Sequence, residues 1–255
     1  MFSTLYHTIL YQPMFNLFVG LYNIFPYHDV GIAILLITIV VRLVVYPLTS
    51  SAIKAQKSMQ EIQPKMEALK KQYADDKQKQ AQALMDLYKT HKVNPFASCL
   101  PLLVQLPILI ALYSVLRNAL ASKGLAEVLY SFVTNPITIN PISFGMFAMD
   151  KPNIILALLA GAAQYWQAKM SLAKQPPKEA GAGAKDENMA AMMSKQMLYM
   201  MPVMTVIIGF SLPAGLTLYW FFSTVLMGLQ QVFMLRKNKN NSNKPTGVIE
   251  GEIVK

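Results

Sequence analysis

Charge is what this chain has least of. Of its 255 residues, 14% are Asp, Glu, Lys or Arg and 54% are hydrophobic, where an ordinary soluble domain is about 25% charged. The balance points away from a soluble globular domain and toward a membrane protein. Cysteine is almost missing too. The lone Cys99 rules out an intramolecular disulfide and a thiolate zinc cluster, and it leaves no cysteine near the N-terminus to carry a lipid. Inside an apolar run it reads as a buried, inert thiol. His7, His28 and His91 share no metal-ligand spacing with one another or with the carboxylates, so neither a metal nor a cofactor is expected. No nucleotide-binding motif is present. Residues 1–29 contain no Lys or Arg, which argues against the basic start of a secretory signal peptide and for a segment that is retained.

What the chain does have is long apolar runs. A bilayer core about 30 Å thick takes about 20 apolar residues per helical span. Five runs bounded by charge or proline qualify, at 30–48, 95–116, 153–168, 197–212 and 215–235. The third and fourth are short, so either their limits extend further or the membrane thins around them. The net charge of +10 would suit nucleic acid, but the basic residues sort to one side of these runs. Segments 51–94, 169–196 and 236–255 hold nineteen of the 23 Lys and Arg. The segments on the other side, 1–29 and 117–152, hold only Arg117, Lys123 and Lys151. The positive-inside rule then puts the N-terminus outside and the C-terminus in the cytosol, which takes an odd number of spans, and five satisfies it. With the basic charge assigned to the cytosolic side of a lipid bilayer, no specific nucleic-acid sequence is expected as a partner.

The organisation that follows is an all-α polytopic membrane protein. Residues 1–29 form an external amphipathic segment, in which Leu17, Phe18, Leu21, Tyr22 and Phe25 keep helical spacing and suit a helix lying flat on the outer leaflet. A first span at 30–50 leads to a cytosolic helical hairpin at 51–94. There Met59, Ile62, Met66, Leu69 and Tyr73, and then Ala81, Leu84, Tyr88 and His91, step by three and four on either side of Asp75-Asp76. Pro64 should bend or shorten the first arm. Two roles fit the hairpin's apolar stripes, a docking surface for partners or a connector held together by its own packing. The remaining four spans with their loops occupy 95–235. The outer loop carries the turn signals Asn135-Pro136 and Asn140-Pro141, segment 174–188 has the composition of a flexible linker, and 236–255 reads as a disordered cytosolic tail.

Arg42 stands inside the first span, in ILLITIVVRLVVYPL, and none of the thirteen acidic residues falls within any of the five runs. A guanidinium in hydrocarbon costs from about 3 to more than 10 kcal/mol and cannot shed its proton, so it must be hydrated. Two arrangements supply the water. In one, the side chain snorkels to the cytosolic interface near Leu48. In the other, it lines a water-filled cavity open to the cytosol, with Gln105, Gln167, Trp220, Ser223 and Thr224 as the polar groups available to line it. Each of these has a plain alternative as an interhelical hydrogen-bond partner, and Trp220 or Tyr219 as a membrane-interface residue.

The stretches ITIVVRLVVYPLT, IQPKMEALKKQYADDKQKQAQALMDLYKTHKVNPFASCLPLLVQLPILIALY at 62–113, YWQAKM at 165–170 and MPVMTVIIGFSLPAGLTLYW at 201–220 together resemble the YidC family of insertases. The similarity runs over roughly residues 14–236 in matching order. It implies five transmembrane helices around a hydrophilic groove closed to the outside and open to the cytosol, in the plasma (inner) membrane of a bacterium. It implies that Arg42 faces the groove and receives polar parts of a substrate, and that Gln105, Gln167 and Trp220 line it. A mobile hairpin that receives substrates is implied too, with basic cytosolic segments that approach the ribosome or the Sec translocon. A large domain between an N-terminal span and the core, and a lipobox cysteine, are family features with no counterpart in this sequence, which reads as a short form.

The function expected is that of an insertase and chaperone. It would help the hydrophobic helices of nascent membrane proteins into the bilayer, alone or beside the Sec translocon, with no catalytic residues and no nucleotide hydrolysis. A transporter or channel using the Arg42 cavity, and a membrane anchor recruiting partners through its hairpin, are the alternatives. The first calls for paired intramembrane charges or inverted repeats, and neither is seen in the sequence. The second leaves Arg42 dispensable. Met192, Met193, Met197 and Met200, with Met189, Met201 and Met204, gather at the cytosolic start of the fourth run. Adaptable thioethers there suit contact with varied substrate helices, and they suit ordinary packing equally well.

Overall fold

Lipid offers a backbone amide no partner, so a chain this apolar satisfies its backbone within helices. In the computed structural model, residues 2–25, 27–94, 100–122, 125–171 and 196–242 are described, and among them helix dominates. Cys99, the linker 174–188, Met189, Met192, Met193 and the tail beyond Ser242 lie outside the described residues. Eight helices carry the architecture: α1 (Gln12–Ile24), α2 (Val30–Val44), α3 (Tyr46–Gln72), α4 (Lys77–Thr90), α5 (Leu100–Leu120), α6 (Ile154–Ser171), α7 (Met201–Gly209) and α8 (Ala214–Ser242). Wider π-turns at His7–Tyr11 and Gln196–Met200 lead into α1 and α7. Between α5 and α6 the short strands Ile142–Ser143 and Phe147–Ala148 pair antiparallel, with Ile142 opposite Ala148.

By length and composition two helical stretches can cross a bilayer, Leu103–Leu120 and Ala214–Met234, and a third crosses if α2 and α3 count as one span bent by 64°. The five-span expectation is therefore met only in its coarser form, an all-helical membrane protein. The third run forms α6 unbroken over 18 residues but is not apolar enough to count, and two interruptions account for the first and fourth runs. Pro47 enters the first turn of α3 and breaks the run after Val45, and a π-turn cuts the fourth apolar run so that α7 has 9 residues. The last run departs the other way, since α8 continues to Ser242 instead of stopping at Leu235.

The apolar core gathers at one end. Phe15, Phe18 and Val19 of α1, Ile34 and Ile37 of α2, Ala111, Leu112 and Val115 of α5, and Ala214 of α8 are fully enclosed there. The helix expected to lie flat on the outer leaflet is present, but protein covers its apolar face. Its polar side chains then bond across to the outer loop. Buried Asn16 donates to the Val128 carbonyl at 3.0 Å and accepts from the Tyr130 amide at 2.6 Å, and Asn23 donates to the Thr134 carbonyl at 2.6 Å. Along α2, burial stops at Thr38, one turn before Arg42. At the other side of the bundle, small residues let α6 approach its neighbours. A Cβ on Gly161 would stand 2.3 Å from Val206 Cγ2 of α7, and one on Gly228 2.2 Å from the Trp166 ring.

The hairpin forms as two antiparallel arms, α3 and α4, turning at Tyr73–Asp76. Pro64 was expected to bend or shorten the first arm, yet α3 runs unbroken through it to Gln72. Tertiary support outweighs the local defect here: Gln80 reaches across to the Lys70 carbonyl at 3.0 Å, and Ile62 is buried.

Asp29 caps α2 and ties it to the outer loop. Its carboxylate accepts from the Ile32 amide at 3.1 Å, from the Phe144 amide at 2.6 Å and from the Ser143 hydroxyl, while Ser143 Oγ accepts from the Gly31 amide at 2.9 Å. Gly31 has to be glycine for this contact, because a Cβ there would lie 2.1 Å from Ser143 Oγ. Burial pushes the Asp29 carboxyl up, but the hydrogen bonds from Ser143, Phe144 and Ile32 outweigh it and hold the group below its ordinary value. A depressed folded value stabilises the protein above the unfolded pKa of about 3.9, and that contribution is lost as pH falls through the lower folded value. We expect Asp29→Ala to cost about 1–2 kcal/mol. In detergent melts this is a lowered transition temperature at pH 7 whose gap to the parent closes below about pH 4.

Candidate functional site

The bend at Val45 decides where Arg42 sits. Because α2 ends at Val44, Arg42 occupies its last turn, where the negative end of the helix dipole favours a cation. Leu43 and Val44 beside it are exposed, whereas the arginine side chain turns inward and its Nε donates to Ser223 Oγ of α8 at 2.9 Å. Ser223 is 2% exposed and Tyr219, one turn earlier on the same face, 1%. The Tyr219 hydroxyl accepts from Gln105 Nε2 of α5 at 2.8 Å. Three helices are thus joined by one polar chain at the level where the apolar core stops. Among the described residues no carboxylate lies within ion-pair distance of Arg42.

Of the residues singled out from the sequence, Arg42 and Gln105 belong to this chain of contacts. Trp220 is partly buried, and the aromatic that bonds Gln105 is its neighbour Tyr219. Thr224 turns back on its own helix and donates to the Trp220 carbonyl at 2.8 Å. Gln167 takes part in a second cluster, near Ser171 in the last described turn of α6. There Gln167 Nε2 donates to Ser171 Oγ at 2.9 Å, and Gln231 of α8 donates to the same oxygen at 3.1 Å. The Ser171 carbonyl accepts from Gln56 at 3.2 Å and Gln60 at 2.6 Å. Nearby, Gln230 bonds Thr49 at 3.0 Å and Ser50 at 2.9 Å. The base of the hairpin is therefore fastened to α6 and α8 by neutral amides.

Gln56, Gln60, Gln230 and Gln231 were passed over in the sequence, although amides at i, i+4 on one arm and a Gln pair within an apolar helix were the available signals. Of the methionine cluster, Met197 lies in the π-turn before α7, and Met200, Met201 and Met204 are exposed. The outer arm of the hairpin bears an open concavity of about 580 Å³ lined by Leu84, Met85, Tyr88 and Val93. Burial there pushes the Tyr88 hydroxyl pKa up.

The sequence is similar to known membrane proteins over most of its length. A family model described as 60Kd inner membrane protein matches residues 20–242. The chain is 35% identical over 207 residues to a membrane protein insertase YidC of Fusobacterium nucleatum, covering 81% of this chain and 86% of that protein. It is 34% identical over 240 residues to a membrane protein insertase YidC of Methylobacillus flagellatus, covering 94% of this chain and 38% of the relative. With a third, from Magnetococcus marinus, identity is 34% over 210 residues, 82% of this chain and 33% of the relative. The chain thus spans most of the first relative and little more than a third of the other two.

The amide cluster generates a stability expectation distinct from the Arg42 chain. Interhelical hydrogen bonds in membrane proteins average about 0.6 kcal/mol each, so replacing both Gln56 and Gln60 by Ala should loosen the hairpin base without unfolding the bundle. Amide hydrogen exchange should rise severalfold along 50–72 and stay at parent levels along α5 and the outer part of α8. A uniform rise in both regions would show that the glutamines support the whole fold.

Proposed function

Since this chain belongs to the YidC family of membrane protein insertases, we propose that it helps hydrophobic helices of nascent membrane proteins into the bilayer by receiving their polar flanks in a cytosol-open groove around Arg42. Five spans enclose that groove, with the N-terminus outside and the C-terminus in the cytosol of a bacterium. The ribosome and the Sec translocon approach from the basic cytosolic side, where the hairpin offers its apolar concavity.

The observation that carries this reading is the position of Arg42: directed inward onto Ser223, without a carboxylate partner among the described residues, where the enclosed apolar core ends. An unpaired polar group costs several kcal/mol in hydrocarbon, and a hydrated half-groove shortens the stretch over which that cost applies. The fourth run supports a further shortening. Its helical length from Gln196 to Gly209 is roughly 21 Å at about 1.5 Å per residue, below the ~30 Å of an average bilayer core, so lipid around it thins. Partition of the client's own apolar helix into lipid then drives the insertion, and no nucleotide is hydrolysed.

The test compares two clients that differ only in whether the translocated tail carries Asp or Asn. Arg42→Ala should reduce insertion of the Asp client by about tenfold, the equivalent of one charge-assisted hydrogen bond of about 1.5 kcal/mol. The Asn client should fall less, and Arg42→Lys should retain part of the activity with both. Equal losses on the two clients would overturn charge reading and leave hydration as the role of Arg42. Full activity of Arg42→Ala on both would remove Arg42 from the mechanism.

A further inference from the structure

A guanidinium grips a planar oxygen pair along either of two edges, the side edge made by Nε and one terminal nitrogen or the end edge made by both terminal nitrogens. In this protein one member of the side edge is already engaged, since Arg42 Nε donates to Ser223 Oγ at 2.9 Å. Three hydroxyls stand on this stretch of α8, and they are not equivalent. Tyr219 accepts from Gln105, Thr224 donates to the Trp220 carbonyl of its own helix, and Ser223 alone hydrogen-bonds the arginine. It does so from a site that is 2% exposed, on a helix whose neighbouring face is pinned to α5 by the Gln105–Tyr219 bond.

We propose that Ser223 is a positioning residue for Arg42: by holding Nε it closes the side edge and leaves the two terminal nitrogens to receive a client's carboxylate or backbone carbonyl oxygens. The inference rests on the insertase reading above. Fixing one donor before the client arrives removes rotamer freedom in advance, so less is lost when the client binds. It also sets a geometric preference. An end-on fork accepts both oxygens of an aspartate tail symmetrically, whereas the side edge would place that tail against α8, on the position Ser223 fills.

The experiment measures insertion of the Asp-tail and Asn-tail clients into proteoliposomes holding the full chain with Ser223→Ala, Ser223→Thr, Arg42→Ala, Arg42→Lys or the pair Arg42→Lys with Ser223→Ala. Ser223→Ala should lower insertion of the Asp client by about three- to tenfold, the worth of one ordinary net hydrogen bond, and spare the Asn client. Ser223→Thr, which keeps the hydroxyl on the same carbon, should restore it. In the Arg42→Lys background Ser223→Ala should add nothing, because lysine places a methylene where Nε stood. Parent-level insertion of the Asp client by Ser223→Ala, alongside a persisting defect in Arg42→Ala, would overturn the positioning role and leave the function reading standing. Equal loss on both clients, or an undiminished Ser223→Ala effect in the lysine background, would also overturn it, as a fold or hydration defect does not distinguish tails. Parent activity of Arg42→Ala would instead fail the function reading itself.

Discussion

A guanidinium that cannot lose its proton, set in a helix surrounded by hydrocarbon, is the constraint around which the inner half of this molecule is arranged. Removing it from lipid takes polar neighbours, and polar neighbours in lipid need partners of their own. The chain Gln105–Tyr219 and Arg42–Ser223 answers both demands with neutral groups, so the cation is oriented without being neutralised. A carboxylate at the same place would have given a stronger pair and a closed site. Serine gives one hydrogen bond, and among the described residues no carboxylate pairs with the positive charge.

The two ends of the bundle are held by different physics. At one end Phe15, Phe18, Ile34, Leu112 and Val115 interlock with almost no exposure, and the loop carrying Ser143 is strapped to the cap of α2 by Asp29. Between helices already in lipid, such packing contributes by dispersion and close fit instead of by transfer from water, and it is cooperative because each side chain touches several others. At the other end the contacts are side-chain amides bonding one another, a serine and a helix-terminal carbonyl. The same sequence therefore builds a rigid closure and a compliant base within one set of helices.

Much of this was legible before any coordinates. Helical class, the runs that become α5 and α8, the hairpin turn at Asp75-Asp76 and the isolation of Arg42 all follow from hydropathy, spacing and charge placement, because those signals are local or depend on composition alone. The missed features depend on tertiary context. ITIVVRLVVYPLT reads as one uninterrupted run, and only Pro47 hinted that it would bend at Val45 and leave Arg42 in a terminal turn. Pro64 looked like a breaker but is tolerated within α3 because the second arm supports it. The family resemblance implies Trp220 at the groove, and the helical phase sets its neighbour Tyr219 one turn from Ser223 on the face that meets Gln105 and Arg42. Gln167 hydrogen-bonds Ser171, a contact that joins it to Gln231 of α8 and that spacing along separate helices does not reveal.

The preference for glutamine at the hairpin base follows from how little an amide contact resists exchange. Each such bond between helices nets about 0.6 kcal/mol, because an amide released from one carbonyl finds another, or water, at nearly the same free energy. An ion pair at the same depth behaves differently, since separating it leaves two charges to be hydrated at a cost of several kcal/mol. Gln56 and Gln60 on α3, Gln167 on α6 and Gln231 on α8 meet at Ser171, so parting α3 from α6 there exchanges amide bonds and separates no charges. The enclosed apolar end has no equivalent freedom, because every side chain that leaves it opens a void its neighbours cannot fill. The contacts that exchange most readily therefore lie on the side of the bundle away from the enclosed apolar core, toward which α2 runs past Arg42 into the hairpin.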